Sequence, residues 1–348
     1  MSTEQARIRS VPAIRVSPLS AFGFLLVALL LVWLVVNFIK EPSEFYGLFL
    51  IGLTNGAVYG LVALGYSLVY GILELINFAH GDVFMLGGML VATMAASWGL
   101  AGNSAATLWP MILLMLAITM VFCAAINTTI ELVAYRRLRN APRLAPLITA
   151  IGMSFILQNI GLVWKGARPT SVPDILPDGA VFTLGGITYT WDKFIVLLFT
   201  IPVLLVLIWL VQQTKQGKAM RATAQDREAA AMMGINVNRT ISFTFLIAGG
   251  LAGAAGLLYA LYFTNVRFDE GFRVGLIAFT AAVLGGIGNL PGAVLGALVI
   301  AMIEAFNNGL GWYTPGSDWS QSIIFSILIL ILVFRPEGLL GERTPEGA

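Results

Sequence analysis

Long apolar runs recur along this chain, separated by short polar linkers. Between residues 21 and 334, runs of roughly twenty apolar residues follow one another, and about twenty residues suffice for a helix to cross a hydrocarbon core about 30 Å thick. Hydrophobic residues make up 58% of the 348 residues and charged residues only 11%, a balance far from that of soluble domains. The chain is therefore predicted to be an all-α polytopic transmembrane helical bundle.

About ten membrane spans are predicted. The first run, residues 21–39, is followed by no small-residue cleavage site, so it is interpreted as an uncleaved span. The other candidate spans are residues 46–73, 82–98, 109–135, 147–164, 194–212, 241–263, 274–287, 292–306 and 319–334. The runs 82–98 and 274–287 are short and rich in glycine, so each is open to a broken or re-entrant helix. The count would fall to eight if the glycine-rich pair near Asn289 formed one re-entrant hairpin and another pair also failed to cross.

The distribution of positive charge predicts the orientation, because basic residues accumulate in cytoplasmic loops. The linker after Tyr135 contains only basic charges, namely Arg136, Arg137, Arg139 and Arg143. Segment 213–239 and the N-terminal tail also carry more basic than acidic residues. Segment 165–193 balances its charges and is expected to be an external loop with a small hairpin around residues 183–189. Both termini are therefore predicted to be cytoplasmic.

This topology predicts four parts of the chain. Residues 1–19 form a cytoplasmic tail, residues 20–39 an additional N-terminal span, residues 45–335 the main transmembrane domain and residues 336–348 a cytoplasmic C-terminal tail. Within the main domain, glycine recurs at every fourth position in three stretches, namely Gly52, Gly56 and Gly60; Gly249 and Gly253; and Gly288, Gly292 and Gly296. Such spacing clears one helix face of side chains and predicts close helix packing.

A charged, alanine-rich insert interrupts the apolar pattern near residue 215. Segment 219–233 consists of good helix formers and Gly234 fits a C-terminal cap, so one helix is predicted there. The side chains expected on its surface are Met220, Arg221, Asp226, Arg227, Glu228, Met232 and Met233. Such a helix could dock into a groove on a soluble partner or lie on the lipid surface as an amphipathic helix. Sequence alone leaves both interpretations open.

A polar break after residue 73 contains Glu74, Asn77, His80 and Asp82. Ionisable groups within membrane segments often mark proton or substrate routes, and a histidine can titrate near neutrality. The alternative is a hydrogen-bonded helix break near the cytoplasmic surface, with Asp82 at the N-terminus of the next helix. Glu304, in a later apolar run, is expected either to line a cavity or to lie near the outer interface.

Several kinds of chemistry are not expected. His80 is the only histidine and Cys123 the only cysteine, so a metal site is not predicted. The pair Gly217-Lys218 is followed by Ala219 and lacks the upstream glycine of a phosphate-binding loop. An ATPase site is therefore not expected, and neither a cofactor nor a nucleic-acid partner is predicted. Energy for any transport would come from a partner or from an ion gradient.

Parts of the sequence resemble a known transporter family. Glu228-Ala-Ala-x-x-x-Gly234 resembles the loop through which importer permeases engage their ATPase subunits, although no Leu-Pro follows the glycine. Asn77-Phe-Ala-His-Gly-Asp82 and segment 281–288 are similar to specific pieces of the branched-chain amino-acid permease family of ABC importers. The resemblance covers roughly residues 45–340, which leaves the first span as an addition.

The resemblance implies a permease subunit, without a catalytic site of its own, that imports branched-chain or related hydrophobic amino acids across a bacterial inner membrane. The implied partners are two ATP-binding subunits, a second related permease subunit, a periplasmic substrate-binding protein and membrane lipid. Segment 215–239 would be the coupling loop, with contributions from Arg221, Asp226, Arg227, Glu228, Ala229, Ala230 and Gly234. Asn77, His80, Asp82 and Glu304 are the candidates for a translocation path or a helix break.

Two other functions remain open from sequence. One is an ion-coupled secondary transporter in which Glu74, His80 and Asp82 form a proton relay. The other is a passive channel. Relatives of this kind also carry urea, amides or aromatic acids, so the sequence does not identify the substrate.

Overall fold

The structure is a computed structural model, and it describes residues 31–99, 105–139, 141–142, 144–177, 179–184, 187–311, 314–335 and 337–341. The predicted N-terminal tail, the first part of the additional span, Arg143 and the end of the C-terminal tail lie outside these residues.

The described residues are mainly helical, as predicted. The first helices are α1 (described as Leu31–Lys40), α2 (Pro42–Leu73), α3 (Ala79–Ser97), α4 (Ala105–Ile130), a π-helical turn (Glu131–Tyr135), α5 (Arg136–Leu138) and α6 (Leu144–Lys165). The remaining helices are α7 (Trp191–Gln213), α8 (Lys215–Gln225), α9 (Arg227–Met232), α10 (Val237–Phe263), α11 (Glu270–Gly285), α12 (Leu290–Gly309), a 3₁₀ turn (Ser317–Trp319) and α13 (Ser320–Phe334). The strands are β1 (Thr170–Ser171), β2 (Ala180–Leu184), β3 (Ile187–Thr190) and β4 (Asn265–Val266).

Eight helical segments among the described residues are long and apolar enough to cross a membrane, one of them the 3₁₀ turn together with α13. The described part of α1 is a shorter apolar helix. Helix α3, with 19 residues, is continuous and meets this criterion. Helix α11, with 16 residues, is also continuous, although it is shorter. Both helices are therefore short and rich in glycine, as expected, but neither is broken, because their glycines lie at helix contacts and do not interrupt the backbone.

One end of the bundle collects the arginine-rich linkers, and we call it the basic end. The insert is bonded to the end of α2, because the Nη2 atom of Arg227 donates hydrogen bonds to the carbonyl oxygens of Ile72 and Leu73, at 3.0 and 3.1 Å. The Arg139 Nη1 after α5 donates to Asn238 Oδ1 at 2.5 Å, in the first turn of α10. The linker after Tyr135 and the insert therefore lie together, as their charge predicted.

The opposite end carries the strands, and we call it the hairpin end. Strands β2 and β3 form an antiparallel hairpin, which confirms the hairpin expected around residues 183–189. Strand β1 pairs with β4, with Thr170 opposite Val266. The hydroxyl groups of Thr54, on α2, and Tyr189, on β3, are 3.3 Å apart. The charge-balanced segment 165–193 thus lies at the end opposite the basic linkers.

Helices α2, α3 and α10 form the interior, while α7 and α13 expose most of their apolar surface. Interior packing depends on glycine. A Cβ atom added at Gly296 on α12 would lie 2.0 Å from the Ala281 carbonyl oxygen on α11. One added at Gly253 on α10 would lie 2.5 Å from the Thr119 carbonyl oxygen on α4. The backbones approach closely at these two glycines, which confirms the close packing predicted there. The prediction is wrong for Gly288, because this residue precedes α12 and has a φ of +89°.

Candidate functional site

The insert at the basic end forms two short helices, α8 and α9, and the prediction of one helix over residues 219–233 is wrong. Asp226 separates them in an extended conformation, with φ −156° and ψ 114°. Its Oδ1 atom accepts hydrogen bonds from the backbone N–H groups of Glu228 and Ala229, at 2.9 and 3.0 Å. Short carboxylate side chains favour this capping geometry over a helix interior. Asp226 therefore ends α8 and starts α9.

Gly234 ends the insert as predicted. Its φ of +83° lies in the left-handed region, which glycine adopts without the strain that a Cβ atom would bring. The backbone N–H of Ile235 donates to the carbonyl oxygen of Ala230 at 3.0 Å, which closes the helix end. The cap turns the chain sharply from α9 towards α10.

The insert exposes a small apolar surface at the end of α9. The residues Met232 and Met233 are 82% and 84% exposed. Met220 is only 2% exposed, so the expectation that it lies on the outer surface is wrong, because α8 turns this side chain towards the bundle. Ala230 is also buried, whereas Glu228 is exposed. We call Met232 and Met233 the methionine surface.

Two arginines fasten the insert to the bundle. Besides its bonds to the end of α2, Arg227 occupies the first position of α9 and is half-buried. Arg221 on α8 donates to the carbonyl oxygen of Val211, in the last turn of α7. Carbonyl groups at helix C-termini lack intrahelical partners and carry partial negative charge, so they bind guanidinium groups well. The insert is thus anchored to both α2 and α7.

A cleft of about 300 Å³ lies between the insert and the end of α2. Its charged lining residues are Glu74, Arg139, Asp226 and Arg227. Burial lowers the pKa of the Arg139 guanidinium, and the nearby Glu131 carboxylate opposes this shift. The cleft is polar and lies between elements that belong to different parts of the chain.

Sequence reasoning missed a buried ion-pair network beside this cleft. The carboxylate of Glu131, which is wholly buried, pairs with Arg136 and Arg139 and accepts a hydrogen bond from Ser242 Oγ at 2.7 Å. A π-helical turn begins at Glu131 and ends at Tyr135, and such turns are often found at functional sites. An acidic residue in an apolar run, five and eight residues before two arginines, was the signal that could have indicated this network.

The polar break between α2 and α3 is held by buried hydrogen bonds to α4 and the π-helical turn after it. Glu74 ends α2 in the left-handed region with φ 55°. The Tyr135 hydroxyl donates to Asn77 Oδ1 at 2.8 Å, and Asn77 Nδ2 donates to Asn127 Oδ1 at 3.4 Å. Asn77 therefore fixes the path of the chain through the break.

The structure separates the residues of the suggested proton relay. Glu74 is exposed at the cleft, whereas His80 and Asp82 are wholly buried in the first turn of α3. The His80 ring packs edge-on against Tyr66, with centroids 4.9 Å apart, and Ser154 Oγ donates to Asp82 Oδ2 at 2.5 Å. His80 and Asp82 thus contact different helices, α2 and α6.

Glu304 belongs to a second group of charged and aromatic side chains, which we call the charged cluster. The Tyr59 hydroxyl donates to Glu304 Oε2 at 2.9 Å, and Glu304 Oε1 is 4.0 Å from Arg273 Nη1. Glu270 accepts hydrogen bonds from the Tyr259 hydroxyl and from Arg273 Nε, both at 2.9 Å. Sequence reasoning found only Glu304, because the five residues lie on four helices and are up to 245 positions apart.

Comparison with known proteins connects this arrangement to a transporter family. A family model described as the branched-chain amino acid transport system / permease component matches residues 48–333. A permease protein of Pseudomonas aeruginosa, named BraD and described as part of a high-affinity branched-chain amino acid transport system, is 38% identical over 298 residues. The alignment covers 85% of this chain and 95% of that protein.

A second curated relative and one solved structure extend the comparison. The Escherichia coli permease protein LivH, described with the same transport system, is 35% identical over 300 residues, which cover 85% of this chain and 95% of LivH. The structure of PsaBC from Streptococcus pneumoniae in complex with Fab is similar at a TM-score of 0.46 and 16% identity, with 87% of this chain and 97% of that chain covered. This structural likeness is too low to carry an argument.

Proposed function

Because the chain belongs to the branched-chain amino acid transport permease family, we propose that it is the membrane-spanning subunit of an ABC importer for branched-chain or related hydrophobic amino acids. The names of BraD and LivH, which match most of this chain, support this substrate class. The buried helix-packing glycines and the apolar outer helices suit a bundle that works within the membrane.

Energy for transport comes from partner proteins in this proposal. The sequence contains no Gly-x-x-x-x-Gly-Lys-Ser/Thr loop, so the chain itself has no ATPase site. The partners are two ATP-binding subunits, a second related permease subunit and a periplasmic substrate-binding protein. The basic end faces the cytoplasm, both termini are cytoplasmic and the membrane is the bacterial inner membrane, since basic residues accumulate on that side.

The observation that carries the proposal is the methionine surface on an anchored insert. Met232 and Met233 expose large, flexible apolar side chains at the basic end, beside the charged Glu228. Flexible methionine surfaces adapt well to a groove on a partner. The matching Glu228-Ala-Ala-x-x-x-Gly234 pattern supports an ATPase subunit as that partner.

The anchors of the insert provide a route from the ATPase to the transmembrane helices. Arg227 joins the start of α9 to the last carbonyl groups of α2, and Arg221 joins α8 to α7. A displacement of the insert therefore pulls on the ends of two helices. The end of α2 leads directly into the break held by Asn77, after which α3 begins with His80 and Asp82 in its first turn.

The docking of the ATPase is tested by charging the methionine surface. In a Met232→Glu, Met233→Glu variant, two carboxylates would have to be buried in the groove, which is unfavourable without partners. We expect the permease to reach the membrane in normal amounts but to lose both co-purified ATPase and leucine uptake, each by about tenfold or more.

The matched control is Met232→Leu, Met233→Leu, which keeps the surface apolar and should retain both activities. Ala230 and Gly234 are less suitable positions, because Ala230 is buried and Gly234 has a positive φ. Normal ATPase recovery with the glutamate variant would contradict docking and would instead favour a helix that rests on lipid.

A further inference from the structure

The charged cluster lies beside the middle of α2 and is partly exposed. Tyr59 is 17 residues after the start of α2 at Pro42 and 14 residues before its end at Leu73. At 1.5 Å per residue, the Tyr59 position is about 25 and about 21 Å from the two ends of the helix. Its hydroxyl binds Glu304, so this carboxylate lies at a similar depth. Ionisable groups at such depth are costly and usually serve transport or binding.

The other charges reach this depth because α11 is short. With 16 residues, α11 is about 24 Å long, which is less than the hydrocarbon thickness of about 30 Å. Glu270 and Arg273 occupy its first turn, and Glu270 also binds Tyr259 on α10. The start of α11 therefore brings a guanidinium and a second carboxylate against the middle of α2 and the last third of α12.

The cluster leaves one donor and one acceptor incompletely paired. Arg273 Nε is engaged by Glu270, but its Nη1 is 4.0 Å from Glu304 Oε1, which is longer than a hydrogen bond. Glu304 accepts its close hydrogen bond, from Tyr59, through the other oxygen, Oε2. The Arg273 side chain is 39% exposed and that of Glu304 10% exposed. A guanidinium is not stable against lipid, so Arg273 faces water or another protein chain.

An α-amino acid has the complementary chemistry. It carries an ammonium group and a carboxylate on the same carbon, and these would engage Glu304 Oε1 and Arg273 Nη1 as charge-assisted hydrogen bonds. We propose that Glu304 and Arg273 form a subsite for the α-ammonium and α-carboxylate groups of the amino acid as it passes through the bundle. This subsite rests on the proposed function, and it names the residues that would hold the two charged groups of the substrate.

The surroundings suit an apolar side chain. Leu276 and Phe279 follow Arg273 at intervals of three residues along α11, so the three residues lie on successive turns. Both apolar side chains are only partly buried. The zwitterionic head group at Arg273 and Glu304 would therefore place the substrate side chain along α11 towards the basic end.

The subsite is tested by direct binding of L-leucine to the purified complex of permease and ATPase subunits, without the binding protein. Competition uses isoamylamine, which lacks the carboxylate, and 4-methylpentanoate, which lacks the ammonium group. We expect each analogue to bind about tenfold or more weakly than leucine, since each satisfies only one of the two charges. Arg273→Gln and Glu304→Gln should each weaken leucine binding by a similar factor.

The matched control is Arg267→Gln, because Arg267 forms an exposed ion pair with Asp269 just before α11 and should not affect leucine binding. ATP-driven leucine uptake by the wild-type importer is measured in parallel, and its absence would overturn the proposed function. If that uptake is intact, the subsite is overturned when the wild-type complex does not bind leucine, or when both variants bind it normally. The subsite is also overturned when the two analogues bind to the wild-type complex as tightly as leucine does. This outcome decides the question even if the variants do not assemble.

Discussion

At the scale of single residues, His80 and Asp82 were found from sequence, but their surroundings were not. Their position after an apolar run indicated a helix break, and both do lie in the first turn of α3. Their partners, Tyr66 and Ser154, come from α2 and α6. The sequence around His80 and Asp82 carries no information about these contacts, because the partner residues are brought together only by helix packing. The separation from Glu74 likewise became visible only in the structure.

The contacts of His80 and Asp82 predict a mild effect of conservative substitution. Asp82→Asn keeps an oxygen that can accept from Ser154, and His80→Gln keeps a polar side chain of similar length. Uptake should persist at a reduced level in both variants, with little change in its pH dependence, when normalised to the amount of permease in the membrane. Complete loss in both variants would favour a proton-coupled carrier, provided that wild-type uptake follows the proton gradient at fixed ATP.

At the scale of elements, the sequence predicted most helices and their glycine faces but not which faces meet. The spacing of Gly249 and Gly253 indicated a close helix contact, and the structure identifies α4 as the partner. The insert shows the opposite case, since good helix formers over residues 219–233 concealed the break at Asp226. Helix propensity is a weak signal there, because one side-chain cap outweighs it locally.

The contact of α10 with α4 can be tested with two neighbouring glycines. A Cβ atom at Gly253 would lie 2.5 Å from the Thr119 carbonyl oxygen and 2.8 Å from the Met120 Cα atom, so Gly253→Ala would force two backbones apart. We expect a loss of about 1–3 kcal/mol in stability, measured as a lower unfolding temperature in detergent.

The control for this substitution is Gly250→Ala on the same helix. A Cβ atom at Gly250 would meet only the flexible Cε atom of Met120, at 3.7 Å, which is ordinary van der Waals contact. This variant should unfold near the wild-type temperature. Equal unfolding temperatures for both variants would show that α10 and α4 do not pack as closely as described.

At the scale of the whole molecule, the distribution of basic residues predicted which linkers lie at the same end of the bundle. The arginine-rich linker and the insert meet at the basic end, and the charge-balanced segment lies at the hairpin end. The charged cluster could not be predicted in the same way. Its five members lie on four helices, and no local pattern indicates that Tyr59 and Arg273 approach Glu304.

The orientation predicts the location of fused reporters. Reporters placed after Arg139 and after Arg227 should both be cytoplasmic, since these residues lie at the basic end. A reporter within residues 172–186 should be periplasmic, because this segment leads into the hairpin. A periplasmic signal after Arg227 would contradict both the orientation and the docking of an ATPase on the insert.

The central claim is that ATP hydrolysis by partner subunits drives transport through this chain. Its most direct test is leucine accumulation in proteoliposomes that contain the complete importer, with ATP supplied on the side of the ATPase subunits. We predict that accumulation requires hydrolysable ATP and continues when a protonophore removes the proton gradient. Accumulation that follows an imposed proton gradient at constant ATP, or that proceeds without ATP, would contradict the claim.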